Sequence, residues 1–430
     1  MKTVLLLGGG GCQKNGAAKA REKGLNVVVA DYLPDPPAAR LAAAHVRASS
    51  FDTAACLAAA REHRVDGVFT LGTDQPVLTA AAVSEALGLA CPITPRTALA
   101  VTNKRVMKGV FRAAGIPTVR WKLVSAATGP EELRGLRPPL VIKPLDSQGQ
   151  RGIFKVQSAG GALEKLPETL RWSREKEALV EEFYPSDEVT VSAWVEQGRA
   201  TLLTVTDRLL YDDPVHIGVC TGHRFPSVHM GRAAELDGLC QRICTAFGIE
   251  AGPLYVQVLV GAEGILVNEV ACRVGGAFED VTIPYLTGFD ILGAVIDQCL
   301  GRPVDTAPLR GFDCTGVQKE AAVPLLFCRP GFLAGQTPLE ELKRLPGVLE
   351  AGYNYRPGDR LEAVENATAR YGWAVVAGPA GTVRGRLAAF YRALYARDEA
   401  GRELVQRTDV FAGAVKRGPL ARCAADARKF

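Results

Sequence analysis

The chain has 430 residues, too many for one compact core, and 47% of them are hydrophobic, enough to fill several cores and to exclude wholesale disorder. Its 51 basic and 46 acidic side chains leave a net charge of only +5, spread along the chain apart from a basic C-terminal stretch, "VKRGPLARCAADARKF". That spread excludes a nucleic-acid stripe, and the apolar runs are too short for a signal peptide or a membrane span, so the expectation is a cytoplasmic protein without nucleic-acid or membrane partners.

Residues 1–100 alternate between apolar runs and helical patterns. "TVLLLGG", "LNVVVAD" and "DGVFTLG" read as buried strands, with "AAKAREKG", "AACLAAAREH" and "PVLTAAAVSEALGL" as helices. Apolar strands without alternation, separated by helices, predict a doubly wound parallel sheet. His45 falls in a helical or loop stretch on this reading. The glycines Gly8 to Gly11 precede Asp31, which closes the second strand where a ribose-binding acid would sit. The dinucleotide fingerprint nevertheless fails, because G-x-G-x-x-G requires glycine at Gln13 or Lys14. Gly11 and Gly16 mimic a P-loop but continue into Ala17 and Ala18. This is a tight strand-to-helix turn, with a small-anion site at the helix N-terminus as the alternative. The 11 cysteines are odd in number and scattered, without a Cys-x-x-Cys, which predicts reduced thiols.

"CPITPRTA" breaks the alternation, and "NKRVMKGVFRAAGIP" follows as an amphipathic helix. In "VIKPLDSQGQRGIFKV" two short strands flank a loop of small residues that can turn several N–H groups toward one anion, with Lys143 beside it. "EALVEEF" is a strand, and "EVTVSAWVEQGRATLLTVT" a hairpin through Gln197-Gly198. "YDDPVHIGVCTGHRFPSVHMG" carries weak structure signals, but His216, His223 and Arg224 within it could meet a carboxylate. A helix, "AAELDGLCQRICTAFGI", leads to a second hairpin, "LYVQVLVGAEGILVNEV", turning near Glu263-Gly264. That turn would place Gln257 and Glu269 on one side of adjacent strands, as oxygen ligands of the type Mg²⁺ prefers. Arg273 follows as a candidate clamp on a transferring phosphoryl group. Gly275 and Gly276 permit close backbone approach to a substrate. The last hundred residues contain further strands ("GYNYRPGD", "YGWAVVAG") and a helix ("VRGRLAAFYRALYARD").

Taken in order, "TNKRVMKGVFRAAGIP", "VIKPLDSQGQRGI", "LVEEFYPSDEVTV" and "VQVLVGAEGILVNEVACRVGG" resemble the ATP-grasp superfamily over roughly residues 1–300. Gln257 looks like the branch related to carbamoyl-phosphate synthases, biotin carboxylases and the ligases that join amino acids. The resemblance implies that Lys104 and Lys143 meet the phosphates of ATP beneath a flap containing Ser147, Gln148, Gly149 and Gly152. It implies Glu181, Glu182 and Tyr184 at the adenine and Glu188 at the ribose. Gln257 and Glu269 would hold Mg²⁺, with Mn²⁺ as a substitute, and Lys143 and Arg273 would act in catalysis. His223, Arg224, Arg273, Gly275 and Gly276 are the substrate-site candidates. One position departs: Ala271 stands where the family usually has a metal-binding Asn.

The implied fold is α/β and α+β. An N-terminal doubly wound domain (1–100) precedes an ATP-grasp fold of two α+β subdomains (101–180 and 181–305). A C-terminal α+β region (306–430) would complete the ATP-grasp sheet or select substrate. The implied activity is an ATP-dependent carboxylate–amine ligase that forms an amide through an acyl phosphate, acting on small-molecule carboxylates and amines; dimers are common among its relatives. The alternatives are a bicarbonate-dependent carboxylase of an amine and a non-catalytic ATP-binding homologue. An NAD-linked oxidoreductase is disfavoured by the failed glycine fingerprint.

Overall fold

The structure is a computed structural model and describes residues 1–211, 217–408, 410 and 411; His216 and the basic C-terminal stretch lie outside the described residues. The chain begins with a parallel sheet of β1 (Thr3–Leu7), β2 (Asn26–Ala30), β3 (Ala44–Val46) and β4 (Gly67–Phe69), in the order β3-β2-β1-β4. The edge strand β3 departs from the sequence reading, because three residues are too few for a periodic signal. His45 lies on it, with Nε2 3.1 Å from the Asp31 carbonyl. The glycine turn after β1 is closed by the buried Asp31 carboxylate, which accepts the Gly9 N–H (2.7 Å) and the Leu33 N–H (2.8 Å). Asp31 is thereby occupied in shaping the turn.

A second, antiparallel sheet holds β5 (Trp121–Ser125), β6 (Leu140–Pro144), β7 (Phe154–Val156) and β8 (Glu177–Glu182), in the order β5-β8-β6-β7. Leu140, Ile142, Ala178 and Val180 pack with Leu166 of the helix Ala159–Leu170 on one face. The two-residue period of a strand then sends Lys143 and Glu181 to the opposite face.

The third sheet is antiparallel and has nine strands. Eight are β9 (Ser186–Glu196), β10 (Arg199–Leu210), β11 (Cys220–Phe225), β12 (Ala251–Gly261), β13 (Gly264–Ala271), β14 (Lys319–Cys328), β15 (Val348–Tyr353) and β16 (Gly372–Pro379). They run β13-β12-β9-β10-β11-β14-β16-β15, and Val405–Gln406 pairs with β14. Strands from the last hundred residues thus extend the sheet that carries both predicted hairpins. The turn between β9 and β10 has positive φ at Gln197 and Gly198, the two-residue form that matches strand twist. β11 emerges from the stretch with weak signals, paired on both sides by β10 and β14.

Phe111, Ile243 and Phe247 pack against Val189, Val191 and Val256 of the nine-stranded sheet. Leu6 and Phe69 of the N-terminal sheet, with Leu71 just after it, share another core with Trp194, Leu203 and Phe289. The N-terminal sheet is therefore fastened to the large sheet by a common hydrophobic core. The ten described cysteines are free thiols. Among the described residues no helix is long and apolar enough to cross a membrane.

Candidate active site

A cleft of about 360 Å³ opens where the three sheets meet. One wall is the β12–β13 hairpin. Its register sets Gln257 directly opposite Glu269 and Tyr255 opposite Ala271. Gln257 donates from Nε2 to the Tyr255 hydroxyl at 3.2 Å. The tyrosine thus lies across from the small Ala271, where the resemblance leads one to expect a longer side chain.

The helix Lys104–Ala113 points its N-terminal end at this hairpin. Asn103 caps it, its side chain accepting the Arg105 (3.0 Å) and Val106 (3.2 Å) N–H groups. Lys104 Nζ is 3.1 Å from Glu269 Oε1 and donates to the Ser147 carbonyl at 3.1 Å. Burial resists ionisation of Glu269, but Lys104 and Lys143 outweigh it and hold the carboxyl below its ordinary range. One turn along the same helix face, Lys108 is fully buried.

Lys108 and Lys143 share one carboxylate. Glu181 Oε1 lies 2.5 Å from Lys108 Nζ, and Glu181 Oε2 lies 2.5 Å from Lys143 Nζ. Lys108 also donates to Thr118 Oγ1 at 2.5 Å, and Lys143 to Asn268 Oδ1 at 3.3 Å. Burial alone would raise the Glu181 pKa, yet the two ammonium groups pull it down to about 2. The Lys108 pKa falls to about 8, because it is buried and competes with Lys143 for a single counter-charge. Glu181 therefore orients Lys143, and sequence reasoning missed Lys108. The i, i+4 spacing from Lys104 was the available signal.

The β6–β7 loop covers the cleft. The Gln148 side-chain oxygen accepts the Asp74 N–H at 3.0 Å, and the Gly149 carbonyl accepts the Ala367 N–H at 3.1 Å. The loop therefore touches the N-terminal and C-terminal parts of the chain at once. Gly149 and Gly152 have φ near +70°, and a Cβ at Gly152 would come within 2.8 Å of Trp172.

Arg273, just past β13, meets the N-terminal sheet. Its Nε donates to Asp74 Oδ1 at 2.7 Å, and its guanidinium lies 4.0 Å over the Tyr255 ring. Asp74 follows β4 at the carboxyl end of a parallel strand, where α/β sheets bind ligands; that position was the signal for it. The approach depends on two glycines. The Gly72 N–H donates to the Val274 carbonyl at 3.0 Å, and a Cβ on Gly276 would sit 2.5 Å from the Gly72 oxygen.

The cleft wall includes Lys104, Ser147, Gln148, Gly149, Gln257, Glu269, Arg273, His223 and Gly276 from the residues singled out in the sequence. Other candidates lie off this wall. Glu182 faces Arg120 and Arg137 on the outer side of the small sheet, opposite Glu181. The Tyr184 hydroxyl donates to the Gly264 carbonyl at 3.1 Å, fastening the hairpin turn. Glu188 is paired with Arg208. Arg224 alternates away from His223 and pairs with Asp207 instead. Gly275 gives its N–H to the Glu279 carboxylate at 2.8 Å. The far end of the wall holds Arg208 and Arg370, which no motif had indicated.

Comparison with known proteins gives the same outline. The ATP-grasp domain matches residues 136–280, and L-amino acid ligase C-terminal domain 2 matches residues 324–394. An L-arginine-specific L-amino acid ligase of Bacillus subtilis is 24% identical over 310 residues, covering 69% of this chain and 71% of that protein. Dapdiamide A synthase of Enterobacter agglomerans is 24% identical over 318 residues, covering 67% of this chain and 69% of its own length. An L-amino acid ligase structure from Bacillus licheniformis superposes with a TM-score of 0.75 at 18% identity, over 93% of this chain and 99% of that one, a likeness of fold.

Proposed function

The chain carries an ATP-grasp domain followed by an L-amino acid ligase C-terminal domain, and from that premise we propose that it is an ATP-dependent ligase joining the carboxylate of one small molecule to the amine of another. The observation that carries this reading is the convergence of Lys104, Gln257, Glu269 and Arg273 on one cleft beneath a glycine-bearing loop. The substrate carboxylate is activated as an acyl phosphate with release of ADP. The amine then forms the C–N bond as the C–O bond to phosphate breaks. Lys104 and Lys143 neutralise phosphate charge. Arg273, held by Asp74, stabilises the transferring group, so catalysis is chiefly positioning and electrostatics. The loop keeps water from the activated carboxyl.

The hairpin suits a hard divalent cation. Its donors are the Glu269 carboxylate and the Gln257 amide oxygen, and no cluster of three or more His, Cys, Asp or Glu ligands occurs among the described residues. Two protein oxygens fit Mg²⁺, which keeps phosphate and water ligands of its own and supplies charge neutralisation when bound. Mn²⁺ has the same donor preference.

The match over residues 324–394 favours the ligase over a carboxylase of an amine. The test is ADP release with Mg-ATP against pools of amino acids and small acids, with and without bicarbonate. A requirement for one carboxylate and one amine, with an amide product by mass, is expected. A bicarbonate requirement, or ATP binding without ADP release from any pool, would overturn the proposal.

A further inference from the structure

Asp74 and Gln75, at the start of the helix Pro76–Leu87, hold several parts of the cleft at once. The Asp74 carboxylate takes the Arg273 guanidinium, with Oδ1 2.7 Å from Nε and 2.6 Å from Nη2. The backbone N–H groups of the same two residues meet the β6–β7 loop. The Gln148 side-chain oxygen accepts from Asp74 at 3.0 Å and lies 3.5 Å from the Gln75 nitrogen. N–H groups at a helix start have no acceptor within their own helix. Gln75 gives them no cap, because its side chain is spent elsewhere: Nε2 donates to the Thr102 carbonyl at 2.6 Å, and Oε1 accepts from Arg174 at 2.9 Å. Gln148 therefore brings the missing acceptor in from the loop. The base of the loop, next to β6, is tied down separately: the Leu145 carbonyl accepts the Lys104 N–H at 2.9 Å, and Asp146 accepts from Arg174 Nε at 2.8 Å.

We propose that Gln148 is a positioning residue that couples closure of the β6–β7 loop to the presentation of Arg273: with the loop down, Gln148 fixes the Asp74 backbone, and the Asp74 carboxylate then holds the guanidinium in place. The reaction that this coupling serves rests on the ligase reading. The loop roofs the cleft, so it lifts whenever ATP enters or ADP leaves. When it lifts, its base stays anchored at Leu145 and Asp146, but Gln148 leaves the helix start. Asp74 then loses one of the bonds that fix its backbone, and the direction of its carboxylate relaxes with it. The consequence is an order of events. The clamp on the transferring phosphoryl group is completed once the loop has shut and water has been displaced, so that ATP is not spent on water in an open cleft.

The test uses the full chain, Gln148→Met, Asp74→Asn and the double variant. Tryptic cleavage after Arg151, within the loop, reads how often the loop is lifted, because cleavage of a native protein tracks its open population. Gln148→Met keeps the length of the side chain without its acceptor, and it is expected to be cut there about three- to tenfold faster than wild type, one net hydrogen bond's worth. Asp74→Asn leaves the backbone N–H groups in place yet breaks the ion pair with Arg273. Coupling is reciprocal, so this variant should also be cut faster after Arg151. Cleavage at sites outside the loop should keep its wild-type rate in both. With Mg-ATP and the substrate pair, Gln148→Met should lower kcat by about the same factor while the KM for ATP stays within about twofold. The double variant should turn over as fast as Asp74→Asn, since Gln148 acts through Asp74. Wild-type cleavage after Arg151 in either single variant overturns the proposal, as does a cleavage rate raised equally throughout the chain. A raised KM for ATP at constant kcat, or a double variant that loses the product of the two single losses, overturns it too. The proteolysis needs no turnover. If no pair of substrates releases ADP, the ligase reading fails while the coupling is still judged by cleavage after Arg151.

Discussion

Replacing Glu181 with Gln would leave the buried ammonium groups of Lys108 and Lys143 without their shared carboxylate. The Glu181 side chain is only 5% exposed and meets each Nζ at 2.5 Å. Its pKa is pulled from 4.5 to about 2, which at about 1.4 kcal/mol per unit corresponds to about 3 kcal/mol of folding free energy at neutral pH. Removing one partner of a buried ion pair costs about 3–5 kcal/mol, so Glu181→Gln is expected to lose an amount in that range in urea unfolding at pH 7. The sign of its pH dependence is also determined. Lys108 already has a pKa near 8 and would fall further without Glu181. The unfolded chain then binds more protons than the folded one, so the variant regains stability as the pH rises from 7 to 9. Lys108→Met combined with Glu181→Gln should recover much of the loss and leave Lys143 as the single charge. The KM for ATP should rise in Glu181→Gln, because Lys143 loses the group that orients it. A variant within about 1 kcal/mol of wild type at pH 7, or a double variant no better than the single one, would refute this account.

Gly276→Ala should lower ADP release more than tenfold and stability by about 1–3 kcal/mol, since the new methyl meets a backbone carbonyl at 2.5 Å that cannot rotate away; an active variant with an unchanged melting temperature would contradict the close-approach argument. Tyr255→Phe keeps the ring under Arg273 but removes the hydroxyl that accepts from Gln257. The Mg²⁺ concentration for half-maximal ADP release should rise about fivefold, one net hydrogen bond's worth, with little change in melting temperature. His223 ionises only near pH 4 in the folded protein against 6.5 in the unfolded chain, so stability should fall by about 3 kcal/mol as the pH drops from 6.5 toward 4. His223→Gln should flatten that limb, whereas the Glu181 contribution, present above pH 4.5 and lost toward pH 2, should remain.

Local periodicity made part of the site legible in the sequence. A short turn and a two-residue period suffice to put Gln257 opposite Glu269. A helical repeat suffices to place Lys104 and Lys108 on one face, and the glycine-bearing loop after Lys143 announces itself by composition. The same regularities told that Glu181 and Glu182 lie on opposite faces of β8, but not which face is covered. That was decided by the helix Ala159–Leu170, which packs on Val180 and leaves Glu181 to the lysines. Ala271 departs from the pattern that the resemblance implies, and only the register showed that Tyr255 lies opposite it. The contacts made at a distance had no trace in the pattern. Asp74 and Arg273 meet because Gly72 and Gly276 let two backbones touch, and Arg208 and Arg370 share a wall because β10 and β16, the strand that Arg370 precedes, belong to one sheet. Hydrogen bonding and side-chain alternation act within a few residues, so sequence alone determined most of the elements and their chemistry, the three-residue β3 and the weakly signalled β11 excepted. Burial and charge pairing act through space across the chain, so only the tertiary structure decided which of those groups face one another.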